Sequence, residues 1–415
     1  MVRKHSPKLS NKPKAIKYHN QRLILSMFRE ANTLSIADIS TKIHLSKTSV
    51  IKVIRDFEAK GLINIIGKGS STNMGGKKPT MFTFNASFVY VISLTISMDR
   101  ISGALMDLKC NVIKSRSVAC DASVEYAEAL RLLEEMITGL INDQNLSNDQ
   151  VYAIIIASEG IIDSNNCIIR YPIHHKWGRN LPLRDDLAQK LSFSTRIYVD
   201  NNIRLSGYAR LLFKREDTYC TLVFIYAGQS ASGSILENQR LVHGTNGFVG
   251  ELGHMMIDPH SKIKCVCGGY GCFGSLVAPE AVFANAKAIY TKYPQSILCD
   301  AIRKKTLTMT DIFDAYNQND PLATVLLDEI IHYFSIVIHN IVLLRDPQKI
   351  IIHGIYAEAG EKFLKKLQTK VNTLPFYKIE RSLPIESANY DFNPSLIGAA
   401  YYAVDMFLNT KTLYD

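Results

Sequence analysis

The stretch ELGHMMIDPHSKIKCVCGGYGC, from Glu251 to Cys272, constrains this chain more than any other. Cys265, Cys267 and Cys272 fall within eight residues, and His254 stands just upstream. One neutral imidazole and three thiolates form the donor set of a tetrahedral structural zinc site. Glycines at 268, 269 and 271 let the backbone turn tightly enough for the sulfurs to converge. His260, in the polar loop DPHSK, is a competing nitrogen ligand. The other cysteines, Cys110, Cys120, Cys167, Cys220 and Cys299, have no framework spacing, so reduced thiols around one metal site are expected rather than disulfides. That points to a cytoplasmic protein, as does a basic N-terminus without the apolar core of a signal peptide. No uninterrupted apolar run approaches the roughly 18 residues of a membrane span. With 47% hydrophobic residues over 415, the chain can build two or three domains with substantial cores.

Charge divides the chain unevenly. Residues 1–85 carry 16 Lys and Arg against 4 Asp and Glu; the remainder carries 32 against 34, so the net charge of +10 comes from the head. A basic head on a near-neutral body implies a polyanion-binding module joined to something else. From His19, HNQRLILSMFREAN places Leu23, Met27 and Ala31 on one helical face. SIADISTKIHL follows, with Ser35 as N-cap and Ile36, Ile39 and Ile43 apolar. SKTSVIKVIRDFEAKGL turns Val50, Ile54 and Phe57 inward and ends at Gly61. Ser46, Lys47, Thr48, Ser49, Lys52 and Arg55 are left for a ligand. Three short helices with a tight turn before a basic third one describe a helix-turn-helix, whose third helix enters the major groove. LINIIGKG and GGKKPTMFTFN read as the strands of a wing that brings Lys68, Lys77 and Lys78 to phosphate or minor groove. The expected partner is double-stranded operator DNA; a purely helical dimerisation module would not require the basic wing.

After Asn85 strands and helices alternate. YVISLTIS, ISGALMD and NVIKSRSV read as successive strands, TRIYVD runs straight into the helix NNIRLSGYARLLF, and PLATVLLDEIIHYFSIVIHNIVLL is a long helix. This is the pattern of α/β domains with mixed sheets, in which a cleft between domains is the expected ligand site.

GTNGFVGELGH with CVCGGYGC resembles the signature of the ROK family (repressors, open reading frames, kinases). The head with GGKKP is similar to the DNA-binding domain of the repressor branch, and DPQKIIIHGIYAEAGEKF and SLIGAAYYA resemble the same family, so the likeness spans nearly the whole chain. It implies a winged helix-turn-helix over 1–85 and a two-lobed actin-like, hexokinase-like (ribonuclease H-like) sugar-binding domain over 86–415. Its lobes would span about 86–200 plus 395–415, and about 201–394. It also implies that His254 both ligates zinc and touches sugar hydroxyls, and that Glu251 hydrogen-bonds the sugar.

Sugar phosphorylation requires a base, a phosphate cradle and a metal-held nucleotide. In family kinases the base is an Asp in a motif like ENDAN; the matching VDNNIR puts Asn202 there, and an amide cannot accept the proton. Asp200 falls at the motif's Glu. The first phosphate loop, DxGxT in the family, reads TISMD from Thr95 to Asp99; the second, similar to GTGIGAGI, reads GQSASGSI from Gly228; the late GG reads His353–Gly354. No catalytic residue is therefore expected. Asn201, Asn202, Glu251 and His254 remain as the sugar-binding set, while Gly274 replaces the family's Glu after the last zinc cysteine. His174, His175 and Lys176 are candidates for replacement contacts, with Trp177 a packing residue. The resemblance implies a regulator, a repressor, whose effector is a carbohydrate or sugar phosphate and whose lobe closure repositions the heads. A homodimer or homotetramer would match palindromic half-sites. The alternatives are an active sugar kinase with a fused DNA-binding head, or a regulator controlled by a protein partner.

Overall fold

The computed structural model describes residues 13–69, 78–213, 221–373, 382–390 and 392–414. The chain forms two compact units, one of residues 1–156, 184–198 and 400–415, the other of residues 157–183 and 199–399.

The first unit begins with α1 (Pro13–Glu30), β1 (Leu34–Ser35), α2 (Ile36–Ile43), α3 (Lys47–Ala59), β2 (Ile63–Lys68) and β3 (Thr80–Phe84). Ser35 opens α2 through a reciprocal capping box with Asp38, and Ser46 opens α3 by accepting from Ser49 N. The left-handed backbone at His44 separates the two helices. Val50, Ile54 and Phe57 are buried, as their spacing predicts. On α1 Met27 is buried as expected, together with Ile24, Leu25 and Phe28, whereas Leu23 is 39% exposed and Ala31, just past its end, half-buried. A continuous Leu-Ile-Leu run offers no polar residue to fix which of its members faces inward. The three strands pair in the order β1-β3-β2, both ladders antiparallel.

The body of this unit contains β4 (Tyr90–Ile96), β5 (Arg100–Met106) and β6 (Val112–Ala119), an antiparallel meander, then α4 (Tyr126–Asn142) and β7 (Val151–Ser158). The hairpin β8 (Ile161–Asp163) with β9 (Ile168–Tyr171) belongs to the second unit; α5 (Leu183–Lys190) and β10 (Arg196–Asn201) follow. The sheet order is β10-β7-β4-β5-β6.

The second unit continues through α6 (Asn202–Phe213), β11 (Thr221–Ala227), β12 (Ala231–Glu237) and β13 (Arg240–Leu241). After a long loop come α7 (Phe273–Val277), α8 (Pro279–Ile289), α9 (Cys299–Lys304), α10 (Met309–Asn317) and α11 (Pro321–Arg345). The chain closes with β14 (Lys349–Gly354), α12 (Glu361–Asn372), β15 (Ile385–Ser387) and α13 (Pro394–Leu408), whose last residues count in the first unit. Its sheet runs β13-β12-β11-β14-β15, with β11 antiparallel to β12 and parallel to β14. The 25-residue α11 is long and apolar enough to cross a membrane by length and composition. It is instead the central helix of this unit's core: Leu326, Ile330, Phe334 and Ile338 are buried in one cluster with Phe273, Tyr356 and Phe363.

Candidate functional site

Four metal-ligating groups converge in the loop after β13. The donor atoms of His254, Cys265, Cys267 and Cys272 all lie within 4.8 Å of one another. His254 Nδ1 is 3.4 Å from Cys265 Sγ, and Cys267 Sγ is 3.8 Å from Cys272 Sγ. Backbone bridges from Met256 to Cys272 and from Lys264 to Tyr270 fold the loop back on itself. Gly271 is required there: its φ is +66°, and a Cβ would lie 1.8 Å from the Asp258 carbonyl oxygen. The competing His260 is exposed and outside the cluster. The Gly269 N–H holds the Cys267 thiol below its usual range. Burial and the two neighbouring thiols push Cys272 up to about 12. Burial lowers His254 and so keeps its imidazole neutral. A divalent cation would offset the cost of ionising clustered thiols.

The polar part of the site is built where β10 passes directly into α6. Asn201 is buried and caps the helix: its Oδ1 accepts from Ile203 N (2.9 Å) and Arg204 N (3.2 Å), and its Nδ2 donates to Gly160 O (2.9 Å). The second amide proton of Asn201 has no acceptor among the described residues. Asn202 is half-buried, with Oδ1 accepting from Ile203 N at 2.9 Å. Glu251 is half-buried, and its carboxylate has no hydrogen-bond partner among the described residues. Burial pushes it up to about 7, opposed by the charge of Arg204.

Sequence reasoning missed the network behind these residues. Asp200, 3% exposed, lies with Oδ1 3.0 Å from Arg204 Nε and Oδ2 2.7 Å from His243 Nε2, and also accepts from Asn201 N at 2.7 Å. Arg204, 2% exposed, donates from Nη2 to Ile162 O at 2.8 Å. Its guanidinium therefore ties β8 to the end of β10, while its stem lies beside Gly250. The i,i+4 spacing of Asp200 and Arg204 was a usable signal; nothing local marked His243. In the HHKWGRN segment, His174 Nε2 lies 3.4 Å from Glu159 Oε2, the buried His175 ring stacks on Trp177 at 4.2 Å, and Lys176 is exposed. A Cβ at Gly274 would meet Gly253 O at 3.2 Å and Ala231 N at 3.3 Å, so a glutamate there would crowd its neighbours.

In the segments that stand at phosphate-loop positions several side chains are committed to internal packing, while Met98, Asp99, Gln229 and Ser230 are exposed. Ser232 Oγ donates to Gly250 O, and Ser234 packs onto α6 at Gly207, where a Cβ would lie 1.8 Å from its Oγ. The Tyr226 hydroxyl lies 2.8 Å from the Cβ position of Gly228, and its ring edge is 2.9 Å from that of Gly354. His353 sits among the rings of Phe224, Tyr226 and Tyr390, at 5.3, 5.7 and 5.3 Å. Thr95 is buried, and Asp99 pairs with Arg100.

On the head, Lys47, Thr48, Ser49, Lys52 and Arg55 are exposed along one side of α3, opposite Val50, Ile54 and Phe57. Ser46 and Ser49 share a hydrogen bond at the cap. Lys68 and Lys78 are exposed at the strand ends; Lys77 lies outside the described residues.

Residues 91–406 match the ROK family, and residues 19–64 match a winged helix-turn-helix DNA-binding family. The chain is 25% identical to the xylose repressor of Bacillus spizizenii, over 95% of this chain and 97% of that protein. It is 24% identical to a glucokinase of Halalkalibacterium halodurans, over 63% of this chain and 78% of that protein. The crystal structure of a ROK family transcriptional regulator, a homologue of the E. coli MLC protein, superposes with a TM-score of 0.77 at 22% identity, over 96% of this chain and all of that one.

Proposed function

This chain belongs to the ROK family, and on that footing we propose that it is a sugar-responsive, DNA-binding transcriptional repressor. The observation that carries the reading is the pairing, in one chain, of a capped helix presenting Lys47, Lys52 and Arg55 with a body that has Asn202 at the base position and Tyr226, Ser232, Ser234 and His353 packed at phosphate-loop positions. The near full-length likeness to a xylose repressor supports a carbohydrate, free or phosphorylated, as effector. Asn202, Glu251 and His254 supply the acceptors and donors that sugar hydroxyls need, and the Asp200–Arg204 pair braces the end of β10, next to Asn202, against β8. Lys47, Thr48, Ser49, Lys52 and Arg55 face the major groove, with Lys68, Lys77 and Lys78 on the flanking backbone.

His254, Cys265, Cys267 and Cys272 would hold zinc. For a Zn–S bond of about 2.3 Å, a tetrahedron has S–S edges of about 3.8 Å, the separation of Cys267 and Cys272. The metal would fix the turn that carries Glu251 and His254. The protein acts in the cytoplasm as a homodimer or homotetramer on operator half-sites.

The glucokinase likeness favours ATP-dependent sugar phosphorylation as a second reading. Asn202 at the base position and the rings around His353 oppose it. A mobility shift with DNA from upstream of the protein's own gene, titrated with free and phosphorylated sugars at fixed salt, tests the first reading. One sugar altering affinity supports it. Steady ATP-dependent phosphorylation of any sugar in the panel would replace it with the second.

A further inference from the structure

The end of the chain is built into the DNA-binding head. Tyr414 is 2% exposed; its ring meets Tyr18 of α1 edge-on at 4.8 Å and Phe57 of α3 at 6.2 Å. Tyr18 Oη donates to Asn409 O at 2.7 Å, and Lys60 Nζ, at the C-cap of α3, donates to Leu413 O at 3.0 Å. Further back, Arg29 Nη2 donates to Tyr401 Oη at 3.0 Å, with its guanidinium over that ring at 4.9 Å. Phe57 is on the inner side of the helix whose outer side carries Lys47, Lys52 and Arg55. The tail is thus the floor on which that helix rests.

Two further features make this floor suited to carrying a signal. Arg29 is buried, yet its Nε and Nη1 have no hydrogen-bond partner among the described residues. Burial works against this guanidinium, while the Tyr401 ring and hydroxyl and the charge of Asp405, both on α13, support it, so it is sensitive to where α13 lies. At its other end α13 touches the helix that begins at Asn202. In the second unit, a Cβ at Gly398 would lie 1.8 Å from Leu205 O and 3.2 Å from Ala209 N, so α13 and α6 meet backbone to backbone. The helix is continuous from Pro394 to Leu408.

We propose that α13 and the segment ending at Tyr414 form a strap that passes the state of the sugar-binding residues on α6 to the DNA-recognition helix α3. This rests on reading residues 13–84 as the DNA-binding head. Coupling of two sites requires an element that both can bias, and α13 touches the carriers of both.

The test uses full-length protein with Tyr414→Ala, Tyr401→Phe and Gly398→Ala, each followed by amide hydrogen exchange and by affinity for the upstream duplex. Loss of the Tyr414 ring should accelerate exchange in α1 and α3 about tenfold or more while β11 and β14 keep their protection. Tyr401→Phe, which removes the hydroxyl that accepts from Arg29 and keeps the ring, should give a smaller effect in α1. Gly398→Ala must displace α13 from α6 and should alter exchange in α3. Unchanged α3 exchange in Tyr414→Ala overturns the docking. A Gly398→Ala effect confined to α6 and α13 overturns the transmission. Exchange is read without DNA, so a parent protein that binds no duplex would sink the repressor reading while these outcomes still decide the strap.

Discussion

Asp200 Oδ2 lies 2.7 Å from His243 Nε2, while the other oxygen of the same carboxylate lies 3.0 Å from Arg204 Nε. One buried anion therefore serves two basic side chains from different segments, and it stands two residues before the position at which a kinase of this family would carry its base. Both oxygens of Asp200 are engaged by basic side chains of the same unit.

Asp200→Asn should be much more damaging than His243→Gln. The first leaves the buried Arg204 without its anion, a loss of about 3–5 kcal/mol for a broken buried pair. The second removes one hydrogen bond from a half-buried ring, about 1 kcal/mol. Urea unfolding of the two variants checks the order; equal losses would show that Arg204 does not depend on Asp200.

Zinc content should follow the four donors. Cys265→Ser removes a buried ligand and is expected to cut bound zinc sharply and lower the unfolding temperature, and a chelator should do the same to the parent protein. His260→Ala, outside the cluster, should retain its metal. Full zinc in purified Cys265→Ser would remove that residue from the ligand set.

Much of this was legible in the sequence because the signals were local. Ser35 and Ser46 cap the helices they precede, and three cysteines within eight residues left little choice of fold for their loop. What was not legible depends on segments that meet only in three dimensions. His243 meets Asp200 across 43 positions, and Tyr414 reaches Phe57 across nearly the whole chain. On α1 Leu23 was misplaced, though Met27 was not, because Leu23, Ile24 and Leu25 are alike in polarity and only packing separates them. The aromatic closure around His353 joins β11, β14 and the segment after β15, and no periodicity encodes that convergence.

That closure has a pH signature. Burial among the rings lowers the His353 pKa below 6.5, against the opposing hydrogen bond to Ala388 O. The unfolded chain then binds a proton that the folded one resists, so the His353 contribution is complete above pH 6.5 and is lost as pH falls through and below it. His353→Gln should flatten the fall in urea midpoint between about pH 7 and 5 relative to the parent. An unchanged profile would mean that the imidazole protonates in the fold as freely as outside it.

The head offers the most direct quantitative test. Lys47 is exposed in the first turn of α3, beside the cap at Ser46, where a groove-bound helix brings its side chains nearest the duplex. A phosphate contact from one lysine contributes about 0.9 to the slope of log affinity against log salt. Lys47→Ala should therefore weaken operator binding and reduce that slope by about one, with similar loss on unrelated sequences. If Lys47 reads a base edge instead, the loss should be confined to the operator and discrimination at one base pair should relax, at about 1–3 kcal/mol. Glu58→Ala, exposed near the other end of the helix, is the control expected to leave the slope alone. An unchanged affinity and slope for Lys47→Ala would take this side of α3 off the DNA and require another face of the head to bind it.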